Sequence, residues 1–185
     1  MEMQVPIQKM ERIRRSQNFG FSLVELMVTL VVMGIVMSVA VPNFIGMIDR
    51  NKVVEAGNRL TSNIKQVRSE AIKRNSPISL KSNTTHQWHL GWEMYAGDLT
   101  GADAVGPDDV LIRVVAASND GVTITGDNQA GMWLSFSANG RLNEDNTTAT
   151  FIICNNGDAA TGRILTVDRG GRTRLDVIPD GDDCT

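Results

Sequence analysis

The sequence predicts an α+β protein. One long amino-terminal helix, transmembrane in its first half and amphipathic in its second, packs on a carboxy-terminal antiparallel β-sheet head. Three observations predict this. Sixteen consecutive residues, Leu26 to Val41, carry no charge. Apolar residues then recur mostly at three- and four-residue steps as far as Ala71, the period of a one-faced helix. After Pro77 the pattern changes to short runs of β-forming residues separated by turn residues. Neither a one-faced helix nor a one-faced sheet can bury its apolar side alone, so laying one on the other is the economical solution.

The first half of the helix is long enough for a membrane. Phe21 to Val41 spans 21 residues, about 30 Å as a helix, which crosses a bilayer core. Residues 1–20 hold four basic side chains (Lys9, Arg12, Arg14, Arg15) against Glu2 and Glu11, a net of +2; the remaining 14 basic and 19 acidic residues give −5. A basic head before an apolar run is an export topology. A conventional secretory signal is one alternative, since Ser38-Val39-Ala40 satisfies a small-x-small rule for cleavage after Ala40. The apolar run, however, exceeds the ~7–15 residues of such signals and continues through Pro42 into helical periodicity. An ordinary anchor is a second alternative. Neither explains Glu25. A carboxylate at mid-bilayer costs about 2.5–3.5 kcal/mol on insertion scales, less near the end of a span, and is a functional candidate by default. An amine would compensate it: a cut after Gly20 gives Phe21 a new α-amino group, and a helix N-terminus there also favours an anion.

The second half of the helix reads as a stripe of Ile45, Ile48, Val53, Ala56, Leu60, Ile64, Val67 and Ala71, with Lys52, Glu55, Arg59, Lys65, Arg68 and Lys73 on other faces. Asn75-Ser76-Pro77 ends it, because proline disfavours helix at the residue before it. The expected span is Ser22–Arg74, with Gly34, Gly46, Gly57 and Pro42 as points where it could bend. Strands are expected near Ile78–Lys81, Trp88–Tyr95, Val110–Ala116, Val122–Thr125, Met132–Phe136, Thr150–Cys154, Arg163–Asp168 and Thr173–Val177. Gly97–Asp109 and Ala138–Thr148 read as exposed loops.

Gly20-Phe21-Ser22-Leu23-Val24-Glu25-Leu26, followed by an apolar run to Pro42, closely resembles the amino terminus of type IV prepilins and type II secretion pseudopilins. The resemblance implies that a prepilin peptidase cuts after Gly20 and methylates the amine of Phe21. It implies that Glu25 neutralises a neighbouring subunit's amine during assembly, and that Pro42 is a helix kink. The conjunction of basic leader, Gly-Phe, fixed-distance Glu and uninterrupted apolarity is highly specific. Phe136 to Leu142, "FSANGRL", also resembles a segment of the H-type pseudopilin and T/U-type minor pilin branch, though strand-turn-strand sequences with Asn-Gly are common. The expected organisation is a leader at 1–20, a transmembrane or filament-core helix at 21–41, its amphipathic continuation at 42–75 and a pilin head at 76–185.

Cys154 and Cys184 are the only cysteines, too few for a zinc site. In a domain outside the inner membrane a disulfide between them is expected, with two free thiols the alternative. His86 and His89, three apart on an expected strand, would face opposite ways and so share no metal. Trp88, Trp92 and Trp133 read as packing. No nucleophile elbow, phosphate loop or metal cluster occurs, so neither an enzyme nor a cofactor is expected. Gly171-Arg172-Thr173-Arg174 resembles a Gly-Arg-x-Arg pattern associated with DNA binding in T-type minor pilins. Arginines at i and i+2 on an extended segment would project from one face toward phosphates, with Arg169 and Arg163 widening the patch. Against this, residues 163–185 hold four arginines and five aspartates. An edge strand with arginine–aspartate pairs is the competing and favoured reading.

The expected function is therefore structural: a minor pilin of a type IV pilus, in its initiation or tip complex. The alternatives are an H-type pseudopilin of a type II secretion system and a DNA-binding minor pilin for transformation. The implied partners are other minor pilins or pseudopilins, the major pilin, the prepilin peptidase, the inner membrane and, for the last alternative, DNA. The implied location is the bacterial inner membrane, with a periplasmic head that moves into a pilus or pseudopilus.

Overall fold

The computed structural model describes residues 20–99, 105–106, 109–118, 121–143, 148–179 and 183–184. The expected leader lies outside them except for Gly20. The chain divides into two compact units at Val41/Pro42, and helix α1, Leu23–Arg74, contributes to both. It ends in a Schellman arrangement. Asn75 takes a left-handed φ of 50°, its amide donates to the Ile72 carbonyl, and the Ser76 amide donates to the Ala71 carbonyl. Pro77 follows, and Lys73 and Arg74 sit in the last turn, where cations suit the dipole. Glu70 receives Arg74 Nε at 2.8 Å; this bond, with the nearby Lys73, holds its carboxyl below the usual carboxylate value.

The second unit is built on two antiparallel four-stranded sheets. With β1 at Ile78–Ser82, β2 at Gly91–Ala96, β3 at Val110–Ala116 and β5 at Trp133–Phe136, the first has the order β3-β2-β1-β5. With β4 at Val122–Gly126, β6 at Thr148–Asn155, β7 at Asp158–Asp168 and β8 at Thr173–Val177, the second has the order β4-β6-β7-β8. Val53, Leu60, Ile64, Val67 and Ala71 of α1 are fully buried in one cluster with Ile78, Leu80, Trp92, Leu134, Phe136, Phe151 and Leu165 from both sheets. Ile45 and Ile48, expected in the same stripe, remain 54% and 41% exposed. The helix face enters the core only from Val53, so periodicity ran further than the sheets do.

One expected strand splits. Trp88–Leu90 form a 3-10 turn, and β2 starts at Gly91, whose φ of 98° swings the chain into pairing with β1. The excursion from Asn83 to Leu90 reaches the other sheet. Gln87 bridges Thr125 of β4, and Trp88 lies fully buried between Trp92 and Phe151, edge-on to the latter at 5.1 Å. The Trp88 indole N–H donates to the Ala130 carbonyl at 2.6 Å. Trp133 is half-buried on β5. The two segments expected as exposed loops are partly anchored. Leu99 is 2% exposed and its amide donates to Ser79 Oγ, while Leu142 is 3% exposed and bridges Phe136. Residues 100–104, 107–108 and 144–147 of those loops lie outside the described residues.

The sheet edges are unequal. Gln87 and both histidines hold β4. Strand β8 carries Arg174 and Asp176, paired at 2.6 Å, which blunts it against strand addition. Strand β3 instead exposes Val110, Leu111 and Val114. It is tied to α1 through Arg59, which donates to the Ala116 carbonyl at 3.0 Å and lies 5.3 Å over the Trp92 ring, and through Arg113 to Gln66 at 2.6 Å.

Cys154 and Cys184 form a disulfide that ties the carboxy-terminal tail to β6. Two predictions follow from these contacts. Closing a loop with a sequence separation of 30 should contribute about 3–4 kcal/mol in the chain-entropy model. Cys154→Ser/Cys184→Ser should therefore lower the denaturant midpoint, and thiol labelling of unreduced, denatured protein should find no thiols. Tyr95, the only tyrosine, donates its hydroxyl to Glu93 at 2.6 Å. That bond, with burial and the Glu93 charge, pushes its pKa up to about 12. The neutral phenol is thus favoured by the fold. The stability it brings is fully present below the ordinary value of ~10 and is lost as pH rises through about 12. Tyrosinate absorbance should show that high midpoint, and Glu93→Gln should lower it.

Candidate functional site

The amino-terminal helix starts on a side-chain cap. Ser22 Oγ accepts the Glu25 amide at 3.1 Å, and the Leu26 amide donates to the Ser22 carbonyl at 3.2 Å. Ser22 is thus the N-cap and Glu25 the third helical residue, the Ser-x-x-Glu spacing of a capping box. That signal stands in the sequence and went unread there. Glu25 also places a negative charge in the first turn, where the helix dipole favours it. Phe21 is 76% exposed. An 18-residue window of the helix has a mean hydropathy of 2.4 with none of it buried. A helix apolar on all sides suits lipid or other apolar helices rather than water.

The second region lies in the head, where two turns meet α1. In the β7–β8 turn, Asp168 accepts twice: its carbonyl from the Gly171 amide and its Oδ1 from the Arg172 amide, both at 2.8 Å. In the turn after β5, the Gly140 amide donates to the Ser137 carbonyl at 2.8 Å. Arg68 Nε of α1 donates to the Gly140 carbonyl at 2.8 Å, and the Leu142 amide donates to the Arg169 carbonyl at 3.0 Å. Gly171 is required at the junction. Its φ is +73°, and a Cβ there would stand 2.8 Å from the Gly140 carbonyl oxygen and 2.9 Å from Arg68 Cδ.

This junction frames a cleft of about 550 Å³ lined by Lys65, Arg68, Ser69 and Ile72 of α1 and by Gly171, Arg172 and Thr173. A smaller pocket of about 260 Å³ holds Arg141, Arg169, Ser137 and Asn139. The structure thus divides the expected arginine pair. Arg172 lines the cleft in the turn, whereas Arg174 on β8 is ion-paired with Asp176 and does not line it. Lys65, Arg68 and Arg141 join the positive region without having been singled out in the sequence. Their contribution needs the tertiary meeting of α1 with two turns, although Lys65, Arg68 and Ile72 fall on one helix face by spacing alone. The histidines do not point apart from a strand. His86 sits in a turn with φ of 62°, its Nδ1 2.7 Å from the Gly126 carbonyl, and His89 Nδ1 accepts the Ile124 amide at 3.4 Å. Both rings serve the edge of β4.

The family model for Type II transport protein GspH matches residues 56–171, more than half of the chain. The chain belongs to the GspH family. A second model, the prokaryotic N-terminal methylation motif, matches residues 15–41, which include Gly20, Phe21 and Glu25. Among solved structures, two crystal forms of the type IV minor pilin FimU of Pseudomonas aeruginosa are similar. One is 27% identical, with 73% of this chain and 94% of that chain covered at a TM-score of 0.57. The other is 28% identical, with 70% and 94% covered at 0.54. The minor pseudopilin EpsH from the Type 2 Secretion System of Vibrio cholerae is more distant, 13% identical over 70% of this chain and 98% of that chain at 0.46. No match is found among curated proteins. The GspH match ends at Gly171, so Arg172 and Arg174 lie beyond it.

The junction makes a stability prediction for this GspH-family head. Gly157 also has a positive φ, but a Cβ there would meet nothing within 4 Å. Gly157→Ala should cost about 1–2 kcal/mol, the left-handed penalty alone. Gly171→Ala should cost clearly more, because that penalty is joined by a backbone clash. Equal shifts in denaturant midpoint would show that the turns do not depend on their close approach.

Proposed function

We propose that the protein is a minor pilin, a structural subunit cleaved after Gly20, methylated on the Phe21 amine and assembled with other pilins into the initiation or tip complex of a type IV pilus. The observation that carries this reading is a helix whose residues from Leu23 to Val41 are all exposed, starting within the matched methylation motif, followed by a head with its own closed core. Such a helix is held by a membrane before assembly and by neighbouring helices after it. In this reading the chain is organised as leader 1–20, span 21–41, helix continuation 42–75 and head 76–185, with Pro42 as the bend. The inner membrane holds the span with the head in the periplasm, and a prepilin peptidase is the processing partner. The FimU likeness supports the pilus.

The description of the matched family, a type II transport protein, supports a second reading as an H-type pseudopilin. Co-purification from native membranes with mass spectrometry of the partners separates the two. Capture of DNA through Arg169, Arg172 and Arg174 is a weaker reading, because the ion pair with Asp176 neutralises one of the three.

Terminal mass analysis of the mature protein should find methylated Phe21 at its start; a terminus at Val41 would establish a secretory signal instead. Glu25→Ala should leave the protein in the membrane, since losing a charge favours insertion, while impairing its entry into the filament. The cap distinguishes this from a helix defect. Ser22 Oγ is held by the backbone amide of residue 25, which alanine retains. Ser22→Ala, by contrast, removes a cap worth about 1 kcal/mol and keeps the carboxylate. Wild-type incorporation of Glu25→Ala would show that the carboxylate has no assembly role.

A further inference from the structure

The cleft between α1 and the β7–β8 turn is unexplained by the amino-terminal chemistry, and its lining is cationic. Lys65, Arg68 and Arg172 line it, and among the described residues no carboxylate lines it and none of the three forms an ion pair. Arg68 is held by its Nε bond to Gly140, and among the described residues its terminal nitrogens make no hydrogen bond or ion pair. Ile72, apolar and 51% exposed, also lines it. We propose that this cleft binds an acidic peptide segment of another protein, seating a carboxylate among Lys65, Arg68 and Arg172 and an adjacent aliphatic side chain on Ile72. The proposal holds whichever filament the subunit enters.

Three observations favour a peptide over duplex DNA. The cations converge on one concavity of about 550 Å³, which admits a side chain, whereas a duplex presents a continuous line of phosphates. Arg174, which would extend such a line along β8, is neutralised by Asp176. Asp168 and Asp176 flank the turn on either side, and they would repel a continuous polyanion more than a single inserted carboxylate.

The test uses the full chain in nonionic detergent micelles and a short fluorescent peptide of alternating glutamate and alanine, with empty micelles as the blank. Fluorescence anisotropy at low salt should show saturable binding that weakens as salt rises. The same peptide with glutamine for glutamate should not bind. Lys65→Gln/Arg172→Gln should weaken binding by about tenfold or more, as loss of close charge partners does, and Arg174→Gln should leave it unchanged. Ser69→Glu, at an exposed position in the cleft, adds a repelling charge without removing any contact and should weaken binding similarly. Near-ultraviolet circular dichroism checks that each variant is folded. The proposal is overturned if wild type does not bind the peptide, or if folded variants bind it as well as wild type. It is also overturned if a fluorescent duplex oligonucleotide binds more tightly than the peptide and loses as much with Arg174→Gln as with Arg172→Gln, an outcome that assigns the surface to DNA.

Discussion

A single helix has to satisfy two solvents, and the rest of the molecule is arranged around that constraint. From Leu23 to Val41 it is apolar and exposed on every side; from Val53 to Ala71 it is one-faced and its apolar stripe is fully enclosed. The second half gives the head its axis, because strands from both sheets converge on the same stripe. Since the two sheets are separate ladders, something else has to join them, and Trp88 does so from a turn rather than a strand. It packs between Trp92 of one sheet and Phe151 of the other while its indole N–H finds a carbonyl, as a buried tryptophan requires.

Much of this architecture could be read from the chain because each signal was local. Runs of β-forming residues marked β3 and β8 at the bounds found, and Asn75-Ser76-Pro77 marked the end of α1. The departures arose where tertiary structure outweighs local preference. Trp88 to Tyr95 looks like one strand by composition, yet Gly91 turns the chain and gives its first three residues to a 3-10 turn. Ile45 and Ile48 keep the helical period after the sheets have ended. Leu99 and Leu142 sit in polar loops and are nevertheless drawn into the core, since an isolated leucine carries no periodicity to announce its burial.

The candidate sites divide in the same way. The amino-terminal motif is contiguous, so its residues could be named without a fold. The cleft is assembled from α1 and a glycine turn distant from it in sequence, and the sequence motif offered only the turn's contribution, Gly171 to Thr173. The aspartates of the carboxy-terminal segment pointed to an edge strand with arginine–aspartate pairs, and β8 carries one, Arg174 with Asp176, while Asp168 caps the turn before it.

The serine cap at the start of α1 bears on how such a chain would change state. Its atoms all belong to residues from Ser22 onward, so a cut after Gly20 removes none of them. The helix would keep its first turn through the reaction while the charge before it changed from a neutral amide to an ammonium. Maturation would then alter the electrostatics of the terminus without asking the backbone to refold, and the same first helical turn would be presented to the peptidase, to the bilayer and to neighbouring helices.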